Sequence, residues 1–327
     1  MKTDRNIGGG LEHPGALGAR GASWREVKRR FGRLGGVLLL GLILRVPVDA
    51  GEASATSPGP GKPSLSDLSL SDFFSKGWDE TWTRRSRGDG TPDMSFFRVQ
   101  TNFLAQLFRA DYVHTQSLDT ASIRASDSLS TTVEYAFNRR FMLAVVENYR
   151  WLDSRIGEDR ESAATAMFAR FQLRETATSS LAANLRVGLP NRDIGDKDML
   201  VSLSLAGWQD LAPLGLKRTG LYYHVQEETL AGRAKPGARR NDLTYDVTLA
   251  RTWSSPESFF GNATTFLELY GITDLNGDLR GRSVLSVTPG VRATLAHRHI
   301  VMAGVEFPLT DPKTFDHTVR LTYIYNF

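Results

Sequence analysis

The chain's six histidines are His13, His114, His224, His297, His299 and His317. A hydrolytic Ser–His pair needs a third residue that orients the imidazole, and no histidine here stands beside such a set in an ordered stretch. His13 lies near the start, and His114 precedes Gln116 and Ser117 in a polar link. His297, His299 and His317 fall at turns or strand ends. His224 sits within an alternating stretch, where a plain polar wall residue is expected. His297 and His299, two apart, share one face of an extended chain, but no carboxylate cluster joins them, so no metal site is expected. Cysteine is absent, which excludes disulfides, thiol catalysis, Cys-zinc sites and a lipid anchor at cysteine. The net charge of +4 is diffuse and comes with no phosphate-cradling or RNP-like motif, so no nucleic-acid partner is expected. Neither enzyme chemistry nor a cofactor is expected.

The charged residues that carry information recur opposite apolar ones. They are Arg98, Glu134, Arg150, Arg170, Arg186, His224, Asp246, Glu268, Arg292, Glu306 and Arg320. Each lies in a run whose alternate residues are apolar, the period of a strand with two unlike faces. If the apolar faces point outward, these side chains line an interior. Six arginines against four carboxylates would make that interior mixed and slightly positive. Such a lining either pairs across the lumen and plugs it, or forms a narrow polar pore with a mild anion bias.

The elements that must position them are twelve candidate strands from Phe96 onward. The first is read at 97–107 and the second at 129–137, and the third runs from Phe141 to Trp151. The rest follow at 165–173, 181–187, 199–205, 221–225, 243–249, 265–269, 285–295, 301–307 and 317–327. Tight links (138–140, 174–179, 209–215, 296–299) alternate with longer polar ones (109–127, 152–162, 228–241, 273–283, 308–316), as in an up-and-down barrel with both termini on one side. Three features fit poorly. Glu147 falls on the apolar face, suggesting a bulge or a misplaced register. Arg251 also falls there, within reach of Trp253. Phe266 and Tyr270 fall on the polar face.

Mean hydropathy is -0.28, and no apolar run reaches the roughly 20 residues of a helical span. A membrane barrel has this modest profile, because only alternate residues meet lipid. Residues 1–55 read as a leader: a basic stretch at 25–33, an apolar run at 35–44 and a small-residue site at Ala53-Ser-Ala55 form a secretory signal. Residues 56–95 read as a Pro/Gly linker followed by a periplasmic or plug segment. Within it Leu70, Phe74, Trp78 and Trp82 recur every four residues, which fits either a short amphipathic helix, weakened by Gly77, or an irregular segment packed under the barrel. Residues 96–327 read as the barrel. Trp151, Trp208, Trp253, Tyr323, Tyr325 and Phe327 are expected in an interfacial girdle.

The last strand, with Val319, Leu321, Tyr323, Tyr325 and Phe327 on one face, resembles the closing strand of Gram-negative outer-membrane barrels. That resemblance implies that Tyr323, Tyr325 and Phe327 form a membrane-assembly signal, with the barrel-assembly machinery and outer-membrane lipid as partners. Residues 287–295, 304–310 and 319–327 together resemble the end of the outer-membrane barrel family named for the meta-pathway of phenol degradation. The resemblance implies a channel passing small-molecule solutes, aromatic or apolar ones among them. The expectation is an all-β transmembrane antiparallel barrel of about twelve strands in the outer membrane, with termini in the periplasm. The alternatives are a sealed structural or anchoring barrel and, further off, an outer-membrane lipid hydrolase.

Overall fold

The computed structural model describes residues 65–327 except 86–93, 121–122, 155–159, 190–198, 232–240, 256–257, 259–260, 277–279, 297, 312 and 314. The leader, the first part of the linker and His297 lie outside the described residues. Twelve strands follow one another: β1 (Leu107–Thr120), β2 (Ile123–Ala136), β3 (Phe141–Ser154), β4 (Arg160–Glu175), β5 (Ser179–Gly188), β6 (Met199–Asp210), β7 (Thr219–Ala231), β8 (Asn241–Thr252), β9 (Thr264–Asp274), β10 (Ser283–Leu295), β11 (His299–Pro308) and β12 (His317–Asn326). Each pairs antiparallel with its sequence neighbours, and β12 returns to β1, from Leu107↔Asn326 to Gln116↔His317. Closure leaves no strand edge unpaired, which a wall facing hydrocarbon requires.

The two faces of this wall are inverted relative to a water-soluble protein. Leu203 on β6 is 63% exposed and Val291 on β10 is 55% exposed, whereas Thr248, Glu268 and Thr288, which face inward, are fully buried. Apolar side chains outside and polar ones inside are the pattern of a membrane-spanning barrel. Arg251 also stands outward, its guanidinium 4.5 Å from the centre of the Trp253 ring.

Strands two to twelve keep the expected faces, but the first does not. β1 begins at Leu107 and occupies most of the expected 109–127 loop, while 97–106 belongs to no strand. The link alternation is correspondingly weaker. The end bearing the tight 137–140 and 296–298 links also carries the long 253–263 link, and β1 meets β2 across 121–122 at the other end. The expected bulge at Glu147 is absent. β3 and β4 pair without a shift, and Glu147 stands outward between Thr131 and Thr165, whose hydroxyl lies 2.9 Å from both carboxylate oxygens. Residues 70–78 form turns and bends rather than a helix, with Gly77 at φ +89°. Trp208 points inward and is fully buried, not part of a girdle.

Candidate functional site: the occupied lumen

Residues 94–106 lie inside the barrel. Met94, Phe96 and Val99 pack with inward-facing Trp208, Tyr222, Ala250 and Phe266 of β6 to β9. The Phe96 ring meets Tyr222 edge-on at 4.7 Å and Phe266 at 4.9 Å. On the way out, Leu104 packs with Ala136, Met142 and Ala144 of β2 and β3. Ala105 joins Leu107, Ile300, Met302 and Ile324 of β1, β11 and β12. These apolar contacts all lie toward the strand ends that carry the 137–140 and 296–298 links. The segment is therefore a loop that enters and leaves at one end and reaches furthest at Arg98 to Gln100. Phe266 and Tyr270, which break the alternation of β9, are the wall residues this loop packs on.

Polar contacts hold the loop's deepest part. Glu268 Oε1 accepts the backbone N–H groups of Arg98 and Val99, each at 2.8 Å. The Gln100 amide donates to Gln226 at 2.7 Å and its oxygen accepts from Ser204 at 2.9 Å. Asn102 accepts from Ser180 at 2.7 Å. Arg170 donates to the Phe103 carbonyl at 2.9 Å while also bonding Asn184 at 2.7 Å and Glu134 at 3.3 Å. Arg109 on β1 donates to the Phe96 carbonyl at 2.8 Å. A buried backbone group without a partner is costly, so these wall side chains do for the loop what ladder bonds do for a strand.

The residues singled out as lumen-facing divide into three groups. Glu134, Arg170, His224, Asp246, Glu268, Arg292, Glu306 and Arg320 are buried on the inner wall. Arg186 is half-buried on β5, and Arg150 is exposed near the far end of β3. Arg98 is on the loop, not the wall. The structure brings Arg98, Glu268, Glu306 and Arg320 into one bonded network and sets the His224–Asp246 pair within electrostatic reach of Arg98. Glu306 accepts from Arg320 at 2.8 and 2.6 Å and from Ser286 at 2.6 Å, and His224 Nδ1 lies 2.7 Å from Asp246. Arg109, Asn102 and Trp208 also serve the site and were not singled out as lumen-facing; Tyr270 stood out only as a break in the alternation of β9. Inward aromatic residues were their one signal, because a bulky ring facing a lumen needs an apolar partner there. Tyr323, Tyr325 and Phe327 stand outward; Tyr325 and Phe327 meet edge-on at 5.7 Å, and His299 Nδ1 lies 2.8 Å from the Tyr323 hydroxyl.

The chain ahead of the loop is held at the rim by the 137–140 turn. Leu68 and Glu175 exchange two backbone hydrogen bonds at 2.9 Å, adding one bridge to the end of β4. The Arg140 guanidinium donates to the carbonyls of Lys76, Ser69, Gln172 and Leu173. Arg139 donates to Ser66 O at 2.8 Å, Glu80 at 2.6 Å and Glu175 at 2.9 Å. Burial pulls Arg140 below the ordinary guanidinium range. Burial acts the same way on Arg139, but its bonds to Glu175 and Glu80 outweigh it and push that group up. Leu70 and Phe74 stay exposed beside this clamp, 62% and 91%, and Trp78 lies 6.5 Å from outward-facing Phe171. That places an apolar edge at the level of the wall's aromatic rim.

No family model matches the chain, and no curated protein matches it. The resemblance at 287–295, 304–310 and 319–327 therefore rests on those residues alone. Solved structures do match. An outer-membrane channel from Pseudomonas putida F1 covers 70% of this chain and 97% of its own, with 13% identity and a TM-score of 0.50. The NanC porin covers 68% of this chain and all of its own, at 7% identity and 0.47. The β-domain of the Bordetella autotransporter BrkA covers 68% and 99%, at 13% and 0.47. At 13% identity the likeness to the Pseudomonas putida structure is one of fold.

Proposed function

We propose that this chain is an outer-membrane channel for small solutes, closed in this conformation by its own residues 94–106, with both termini on the periplasmic side. One observation carries the reading: the lumen is filled by a looped chain segment, not by wall side chains interdigitating with one another. A twelve-stranded wall lies between the filled eight-stranded barrel and the wide sixteen-stranded porin, and here a single loop of chain takes up the difference. The loop has no ladder pairing within the lumen, so withdrawing it breaks side-chain contacts and leaves every strand pair intact. The Pseudomonas putida protein of similar fold is an outer-membrane channel, which agrees with this reading. The aromatic or apolar solutes implied by the C-terminal resemblance are the less favoured cargo, because the inner wall away from the apolar seal is polar and charged.

A sealed structural barrel is the second reading, favoured by the three apolar clusters that close the rim. Planar-bilayer recordings separate the two. The wild type is expected to be silent or to open rarely. A variant lacking the side-chain contacts at the loop's deepest part, Arg98→Ala with Gln100→Ala, is expected to loosen the loop and to show stepwise conductance. Silence from that variant, with its heat-modifiable electrophoretic shift intact, would favour the sealed barrel.

A further inference from the structure

Arg98 occupies a socket made for a guanidinium group. Its Nη2 lies 3.3 Å from both oxygens of Glu306, and its guanidinium carbon lies 4.2 Å from the centre of the Tyr270 ring. A planar cation between a carboxylate and an aromatic face is a recognition geometry in its own right. At Glu306 and Asp246 the wall side of the socket is held independently of the loop. Glu306 is fixed by Arg320 and Ser286, and Asp246 is held by His224. Glu268 is fully buried, and among the described residues its Oε2 finds no hydrogen-bond partner; neither does Oδ1 of Asp246, which is 2% exposed.

Arg98 fits this socket loosely. Its two bonds to Glu306 are 3.3 Å long, against 2.6 and 2.8 Å for the wall residue Arg320, and its Nε has no partner. Charge-assisted bonds are normally shorter than 3 Å, so the backbone tether holds Arg98 short of its best position. A third of its side-chain surface stays accessible. If the loop withdraws, Glu268, Glu306 and Asp246 keep Arg320, His224 and, at Glu268, Arg109 as charged neighbours; Arg109 is already paired with Asp111, so negative charge stays in excess and recruits a cation.

We infer that this socket is the binding site for the guanidinium group of a small solute in the lumen, Arg98 standing in it as an internal competitor. The inference rests on the channel reading and gives it a substrate class. It also turns the expected selectivity from anions to cations.

The test is calorimetric titration of methylguanidinium chloride into the purified full chain, with sodium chloride as the control. Arg98→Ala is expected to bind methylguanidinium saturably. Wild type and Arg98→Ala/Glu306→Gln are each expected to bind about tenfold more weakly or not at all. Arg98→Gln, closer in shape, replaces the alanine variant if that one loses its heat-modifiable shift. Equal binding by wild type and variant, or binding indifferent to Glu306→Gln, overturns the proposal. Conductance of the same variant is read separately. Binding without conductance keeps the site and rejects the channel. Conductance without binding, or an anion-selective reversal potential, keeps the channel and rejects the site.

Discussion

Glu147 is the residue whose chemistry is most at odds with its place. It stands on the outer wall between Leu143 and Val145 toward one end of β3 and Tyr149 and Trp151 toward the other, with only the threonines at 131 and 165 beside it. A carboxylate in the lipid-facing band destabilises a barrel, though less than a lysine or arginine there. Replacing it should therefore help: Glu147→Val is expected to raise unfolding stability in lipid vesicles by ~1 kcal/mol, read by urea titration. A loss of stability instead would mean the carboxylate has a partner in the membrane that the threonines do not supply. Alternation revealed this residue as an anomaly, and its explanation needed the register. A period-two pattern tells that a side chain is on the wrong face, but not whether the backbone has bulged or the side chain is simply there. Arg98 shows the converse. It alternates perfectly with Phe97 and Val99, yet faces a lumen from within.

Among the elements, β1 was the hardest to read and the loop before it the easiest to mistake. Phe97, Val99 and Phe103 alternate with Arg98, Gln100 and Asn102 because a chain lying between an apolar seal and a polar network is itself two-faced. The real β1 alternates weakly, with His114 and Gln116 outward and Leu107 and Val113 inward. The loop's seat depends on close approach at two glycines, Gly304, where a Cβ would lie 2.6 Å from the Phe97 ring, and Gly290. A Cβ on Gly290 would lie 2.2 Å from the Phe266 ring, which in turn packs on Phe96. Gly290→Val is expected to push that ring into the loop and to cost roughly 1–3 kcal/mol as overpacking, measurable by urea unfolding. No loss would show that the ring has room to move. At the rim, Arg140→Ala strips the donor from four carbonyls. It should expose residues 65–82 to limited proteolysis while the barrel keeps its heat-modifiable shift. Arg140→Lys should rescue only part, since an ammonium lacks the planar fork that spans those carbonyls. Unchanged protection in the alanine variant would mean that Arg139 and the Leu68 bridge suffice.

At the scale of the molecule, the closed wall was the most legible feature. Lipid on one side and a polar interior on the other impose the same alternation on every strand, and closure follows from the cost of an unpaired edge in hydrocarbon. What fills the interior was not legible, because it depends on contacts between residues as distant as Arg98 and Glu306. The seam between β1 and β12 ends with the Phe327 amide donating to the Gln106 carbonyl at 3.1 Å, so the last residue of the chain is tied to the last residue of the loop. Deleting Phe327 is expected to lower the yield of heat-modifiable barrel in cells. An unchanged yield would remove it from the proposed assembly signal. Because the loop enters and leaves by the same end, the lumen responds unequally to mechanical load. A push from the far end seats the loop harder, whereas tension applied at residue 65 runs along the chain toward it. Under such tension in a single-molecule pulling experiment, the Leu68–Glu175 bridge should rupture first, the grip of Arg139 and Arg140 next and the loop last, all before any strand is extracted. In the proposed channel the stretch held at the rim is then a drawstring, and a pull on it from that side would set when the lumen opens.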